Sequence, residues 1–343
     1  MTDFTDLIDL ASERLGGTVL WANDEFFAPK EALLKPTPAE WREGAYTERG
    51  KWMDGWETRR RREPGHDWCL VRLGAPGLVR GVVIDTAFFT GNFPQEAQVE
   101  GAEIAGVPDP VLIDTDATVR WTTLVPRVAL AGDTPNVFAV TPAGRITHLR
   151  LRIYPDGGVA RLRVHGDVQL DPAIASSGRE VDWAAQEHGG FVDVCSDMFF
   201  GHRQNLILPG RSTHMGDGWE TRRRRDDGHD WTIVRLGSRA ALSRIELDTD
   251  HYKGNAPGWV MLEYATFATS GVTSCRRTPA GASWSRASRC SRTPATSGPR
   301  PPAPRQRTCD STSIRTAAWH DCALLASPRA PGDRRRVQRT HRA

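Results

Sequence analysis

An all-β fold of two tandem antiparallel β-sandwich domains is predicted by three features of the sequence. The first is a duplication: GWETRRRREPGHDWCLVRLG at 55–74 returns as GWETRRRRDDGHDWTIVRLG at 218–237, an offset of 163 residues. The second is a series of short alternating and β-branched runs closed by Gly, Pro and Asp turns. The third is the scarcity of long helical patterns outside the acidic, amphipathic N-terminal stretch MTDFTDLIDLASERLGG. A period of 163 is far too long for a solenoid unit, so the copies are whole domains. A chain of 343 residues accommodates two, each with its own core.

The elements follow in order. An N-terminal segment, 1–14, precedes the first copy at 15–170 and the start of the second at 171–265. DEFF at 24–27 is matched by SDMFF at 196–200, with the loop behind it about ten residues shorter in the second copy. WCLVRLG and WTIVRLG each predict a strand, and LVRGVVIDTAFF and ALSRIELDTDHY a second one. ITHLRLRIYPDGGVARLRVHG predicts a hairpin about PDGG, with Ile146, Leu149, Leu151 and Ile153, then Val159, Leu162 and Val164, as its apolar positions. Short strands at turn-punctuated spacing build a sandwich in each copy.

The net charge of +3 conceals an uneven distribution. Residues 266–343 hold fifteen arginines, no lysine and three aspartates, a balance of +12, so residues 1–265 carry −9. An acidic body argues against a nucleic-acid partner. No apolar run approaches the roughly 20 residues needed to span a bilayer, which argues against a membrane partner. The acidic N-terminus is unlike a secretory signal. Only Cys69 and Cys195 of six cysteines precede residue 266, which predicts a reduced, cytoplasmic protein.

After Tyr264 the patterning collapses into Arg, Ser, Thr, Pro and Ala, the composition of a disordered basic tail. The genetic code offers another reading. In a frame that starts at the third nucleotide of each codon, the stretch from Thr308 to Cys322 can spell V-R-L-D-I-(Y/H)-P-D-G-G-M-A-R-L-R, against LRLRIYPDGGVARLR at 149–163. In the same frame 283–297 can spell L-E-P-R-x-x-L-Q-P-D-T-R-H-V, against LVPRVALAGDTPNV at 124–137. Residues 266–343 are therefore expected to be an out-of-frame tail, with the frame lost between about 265 and 282 and the second domain truncated.

Chemistry-bearing residues cluster in the repeated stretch. In an extended run the side chains of Arg59–Arg62 alternate, so at most two share a face. Arg59 or Arg60 offers a bidentate clamp for a carboxylate, as do Arg222 or Arg223 in the second copy; Arg61 and Arg62 equally suit acid-paired surface positions. His66 and His229, of the residue type suited to proton transfer near neutrality, stand beside Asp67 and Asp230, either as catalysts or as hydrogen-bonded structural residues. Glu57 and Glu220 are arginine partners or general bases, and Trp56 and Trp68 core or pocket wall. Asp85 ends a strand before the turn-rich FFTGNFP, which presents Asn92; its counterpart presents Asn255. Phe88 and Phe89 become His251 and Tyr252, which would make the copies unequal. No His-x-His, HExxH, CxxC, P-loop, dinucleotide or GxSxG pattern occurs before the tail, so neither metal nor cofactor is expected.

NDEFFAPKEALLKP, GKWMDGWETRRRREPGHDWCLVRLG, DTAFFTGNFP and IYPDGGVARLR together resemble the allantoicase family, over about residues 15–264. The resemblance implies two jelly-roll-like sandwiches of galactose-binding type, homo-oligomers, and a small-molecule substrate: allantoate plus water gives ureidoglycolate and urea, in purine breakdown. For that chemistry His66 or His229 would protonate the departing urea nitrogen, and Glu57 or Asp85 would guide water to the central carbon. Arg59, Arg60, Arg222 or Arg223 would hold the carboxylate, with Asn92 and Asn255 as substrate-binding amides. The alternatives are a non-catalytic module for carbohydrate or another small ligand, and a family member inactivated by its truncated second copy.

Overall fold

The computed structural model describes residues 4–266, apart from 107, 114, 115 and 240, and the backbone of two short strands at 288–289 and 322–325. Its organising element is a nineteen-residue strand, Asp67–Asp85, in which WCLVRLG and LVRGVVID run together. The halves of this strand take different partners within one eight-stranded sheet. The first pairs with Thr18–Ala22 on one side and Ile146–Tyr154 on the other, and Glu96–Ala102 and Thr122–Ala129 extend that sheet. The second half pairs with Arg161–Val168 and Pro135–Ala139, and Ile8–Asp9 closes the edge beside Arg161–Val168. Every pairing is antiparallel, and the eight strands form one hydrogen-bonded sheet, continuous through the long strand and wrapped around a single core as a β-sandwich. The strand changes partners around Gly77, where a Cβ would lie 2.3 Å from the Asp167 carbonyl oxygen. Only glycine permits that approach.

Alternation fills the interior. Leu149, Leu151, Ile153, Val159, Leu162 and Val164 are all completely buried. Each such side chain contributes about 1.5–3 kcal/mol. The strands on either side of PDGG do not form the expected hairpin: both pair with the long strand instead, one with each half, and the turn links them. The N-terminal stretch also departs from expectation. It forms 3-10 turns at Phe4–Asp6 and Glu13–Leu15 around the strand Ile8–Asp9, and buries Leu10 and Ala11 in the first core. Its apolar residues meet a sheet edge that supplies backbone partners, and Gly16–Gly17 ends the segment before a helix can propagate.

The second copy repeats the beginning of this plan. Phe191–Cys195 pairs with Thr232–Arg235, as Thr18–Ala22 pairs with the long strand, and Trp183, Val192, Ile207 and Val234 form a separate core. Glu263–Thr266 and Cys322–Leu325 complete a four-stranded sheet. Residues 241–249, expected as a strand, carry no strand pairing. By the offset of 163, the partners they need correspond to positions within 266–343. Apart from the two short strands, the reading of that segment as out of frame lies outside the described residues.

Candidate active site

Three sequence signatures converge at one end of the first sandwich. Trp56–Glu57 pairs antiparallel with Gly158–Val159 of PDGGV, and Ala28 bridges Glu57 from the other side. Trp56 is completely buried, with its indole N–H donating to the Asp24 carbonyl at 2.8 Å. Buried Thr58 exchanges hydrogen bonds with Gly157, its N–H donating to the Gly157 carbonyl and its hydroxyl accepting from the Gly157 N–H, both 3.1 Å. The Gly158 N–H donates to the Asn92 carbonyl at 2.7 Å. GWET, FFTGN and PDGG are therefore parts of one scaffold, which accounts for their joint recurrence.

That scaffold aims Glu57 and Asn92 at each other. Asn92 Nδ2 donates to Glu57 Oε1 at 2.7 Å. Burial pushes the Glu57 carboxyl above its ordinary range, although the Asn92 hydrogen bond pulls the other way. The pair lines a cavity of about 500 Å³ whose walls are Phe27, Trp41, Met53 and Phe88, with Lys51, Thr90 and Asp133 adding polar groups. Phe88 has φ +68°, and so does its counterpart His251, so both copies build the loop with the same left-handed residue. A half-buried carboxylate beside an amide, in an aromatic pocket with one ammonium, can exchange a proton with a small polar ligand and hold its charge.

The arginine run alternates in pairing. Arg59 binds Asp24 through its backbone N–H at 2.9 Å and Nε at 2.6 Å; Arg61 Nη1 binds Asp67 at 2.6 Å. Arg222 and Arg224 repeat this with Asp197 and Asp230. Arg60 and Arg223 are exposed and line neither cavity. His66 Nε2 lies 2.9 Å from Arg152 Nη1, its ring 5.1 Å from Tyr154, outside the Glu57 pocket. Asp85 Oδ1 caps the following turn by accepting from the Ala87 N–H at 2.9 Å, and it does not line the pocket either. His229 is half-buried, its Nε2 without a hydrogen-bond partner among the described residues. Of the candidate residues, the structure brings Glu57 and Asn92 together, and Glu220 with Asn255 at 2.6 Å.

One residue gave less sequence signal. Arg161, one of two arginines in VARLR, is 1% exposed and donates to Asp54 Oδ2 at 2.5 Å and to the Asp54, Thr37, Pro38 and Ala160 carbonyls. It ties the sandwich to the loop that carries Trp41 and Lys51. The extra ten residues of that loop in the first copy were the one available sign of it. A second cavity, about 840 Å³, lies between Arg14 and the second copy, lined by Glu180, Asp182, Asp217 and Asp248 among others but by neither Glu220 nor Asn255. Among the described residues no group of three or more His, Cys, Asp or Glu is placed to hold a metal ion, and no helix is long and apolar enough to cross a membrane.

A duplicated β-sandwich with an acid–amide pocket among its loops defines a class of small-molecule-binding β-proteins, and sequence relationships narrow it. The allantoicase repeat family matches residues 8–169 and 181–294, the second match running past 265 into the segment read as out of frame. The chain is 52% identical over 266 residues to a probable allantoicase of Streptomyces coelicolor, covering 75% of this chain and 70% of the relative. It is 49% identical over 251 residues to probable allantoicase 1 of Burkholderia mallei, covering 73% and 72%. A solved allantoicase structure superposes with a TM-score of 0.68 at 31% identity, over 93% of this chain and 89% of that one. The allantoicase crystal structure from Saccharomyces cerevisiae superposes at 0.65 and 29%, over 93% of each. This chain belongs to the allantoicase family.

Proposed function

We propose that the chain hydrolyses allantoate to ureidoglycolate and urea in purine degradation, and that the Glu57–Asn92 pocket of the first copy is where it does so. The observation that carries the placement is Glu57 itself: a half-buried carboxylate pushed up by burial, fixed by Asn92 at 2.7 Å, at the wall of an aromatic cavity. Allantoate bears two ureido arms and a carboxylate on one carbon. Glu57 takes a proton from the incoming water as its oxygen bonds to that carbon, the C–N bond to one arm breaks, and the proton passes from Glu57 to the departing nitrogen. One water is consumed and one urea released. Raising a carboxyl toward neutrality suits it to both halves of this transfer. Asn92 orients the carboxylate and leaves its second oxygen for water.

The family's name and relatives support the substrate, and the pocket chemistry supports the residue. The free cysteines Cys69 and Cys195 are in keeping with a reducing cytoplasm, and we assign the chain there as a homo-oligomer acting on a small molecule rather than on nucleic acid or membrane. The test is urea release from allantoate by the purified chain. Turnover supports the enzyme; saturable allantoate binding without urea would make the protein a binding module and refute the proposal.

A further inference from the structure

We propose that Lys51 is the ligand of the substrate carboxylate, held ready on the face of Trp41 by a loop that is about ten residues longer in the first copy than in the second. The proposal rests on the reading of the Glu57 pocket as the site of allantoate hydrolysis. An anionic substrate entering a largely aromatic pocket beside a carboxylate needs a cation there, or burial of its charge would oppose binding. Lys51 is the one basic residue lining the cavity. The neighbouring arginines are engaged elsewhere: Arg59 with Asp24, Arg161 with Asp54 and four carbonyls, and Arg42 with Glu40.

Lys51 differs from these in what holds it. Its Nζ lies 4.0 Å from the centroid of the Trp41 ring, and no carboxylate among the described residues forms a salt bridge with it. Trp41, 44% exposed at the pocket rim, packs in turn against Phe88 with centroids 5.8 Å apart, so the indole offers the exposed Lys51 side chain a platform at the mouth of the pocket. The Lys51 backbone is set by its antiparallel pairing with Tyr46. A cation resting on a π face keeps its N–H donors available, and a carboxylate can recruit it without breaking an ion pair. The loop from 36 to 52 is anchored at its root by Arg161, through the Thr37 and Pro38 carbonyls at 2.9 and 3.1 Å.

The second copy shows the contrast. At the position matching Lys51 stands His214, which caps the following turn by accepting from the Gly216 N–H at 3.1 Å and lies 3.6 Å from Asp217. The loop is about ten residues shorter and brings no tryptophan to the Glu220–Asn255 pair. Both copies keep the acid–amide pair, and only the first supplies an uncommitted cation beside it. The first-copy pocket is thereby specialised for an anionic substrate.

The experiment is steady-state urea release from allantoate by wild type, Lys51→Met, Lys51→Arg and Glu57→Gln, with folding checked by thermal melts. A neutral analogue, the primary amide of allantoate, serves as competitive inhibitor. Lys51→Met is expected to raise KM about 10- to 100-fold, the range of a charge-assisted hydrogen bond, with little change in kcat. Lys51→Arg should recover most of the loss, and the neutral amide should inhibit wild type and Lys51→Met equally. An unchanged KM in a folded Lys51→Met, or equal weakening of the amide, overturns the proposal. If Glu57→Gln abolishes turnover while Lys51→Met keeps its KM, the Lys51 assignment alone is wrong. If Glu57→Gln retains the wild-type rate, the pocket itself is misassigned and Lys51 falls with it.

Discussion

Replacing Arg161 by methionine tests how the first copy holds its pocket loop to the sandwich. The guanidinium is 1% exposed and faces Asp54, whose side chain is 5% exposed. Methionine fills much of the same volume but leaves Asp54 with only Lys35 Nζ at 2.8 Å and the Glu40 N–H at 3.0 Å. Removing one partner of a buried ion pair costs about 3–5 kcal/mol. The two surviving contacts place this case near the lower end, about 3 kcal/mol, a large part of the roughly 5–15 kcal/mol available to a domain. Urea unfolding followed by tryptophan fluorescence measures it, with buried Trp56 as a native reporter. Adding Asp54→Asn to Arg161→Met should recover about 1–2 kcal/mol by removing the orphaned charge. Burial pushes the Asp54 carboxyl up, but the Arg161 and Lys35 hydrogen bonds prevail and hold it below its ordinary value. The stability this supplies is present above the ordinary carboxylate pKa and is lost as pH falls through the folded value. The gap between wild type and Arg161→Met should therefore narrow in acid. A loss below about 1 kcal/mol at neutral pH, within the range of ordinary substitutions, would refute the reasoning.

Three further outcomes are expected. Burial, and then the charge of Arg72, hold the His148 imidazole at about 4 against an ordinary 6.5. The folded protein thus binds fewer protons than the unfolded chain in that window, and stability falls as pH drops from 6.5 to about 4. His148→Gln should flatten thermal melts across the window, and an unchanged slope would contradict this. The pH profile of kcat/KM should rise through an apparent pKa above the ordinary glutamate value of about 4.3, since Glu57 must be ionised to accept a proton; a midpoint at or below that value excludes Glu57 as the base. Replacing 266–343 by the sequence of the alternative frame should raise soluble yield, by supplying strand partners for 241–249; equal yield would refute the out-of-frame reading.

The fold was legible where a single periodicity decides the outcome. The alternation of Leu149, Leu151 and Ile153 and the repetition of GWET were enough to place the strands and the duplication. The hairpin about PDGG was misread because alternation gives a strand's faces and not its partner. Both flanking strands found more pairing on the two halves of Asp67–Asp85 than on each other. The arginine run was legible in its alternation but not in its phase. Asp24 lies 35 residues from Arg59, a pairing that leaves no local signal, and Asp67, only 6 residues from Arg61, meets it across a turn that alternation does not describe. Glu57 and Asn92 stood out because both copies carry them at matched spacing. Lys51 and Trp41 did not: Trp41 lies in the roughly ten-residue stretch that the second copy lacks, and Lys51 is matched there by His214.

The most direct test of the central claim compares Glu57→Gln with Glu220→Gln in urea release from allantoate. The two residues occupy matched positions, each hydrogen-bonded to its asparagine, at 2.7 and 2.6 Å. Glutamine keeps the acceptor that Asn92 addresses. It also removes a carboxyl that burial disfavours in its ionised form, so Glu57→Gln should fold at least as well as wild type. Only the first-copy acid lines the aromatic pocket with Lys51. Loss of about 10²–10⁴-fold in kcat for Glu57→Gln, the usual contribution of a general base, with Glu220→Gln near wild type, is the predicted result. Equal losses in both variants, or a Glu57→Gln enzyme as fast as wild type, would contradict it.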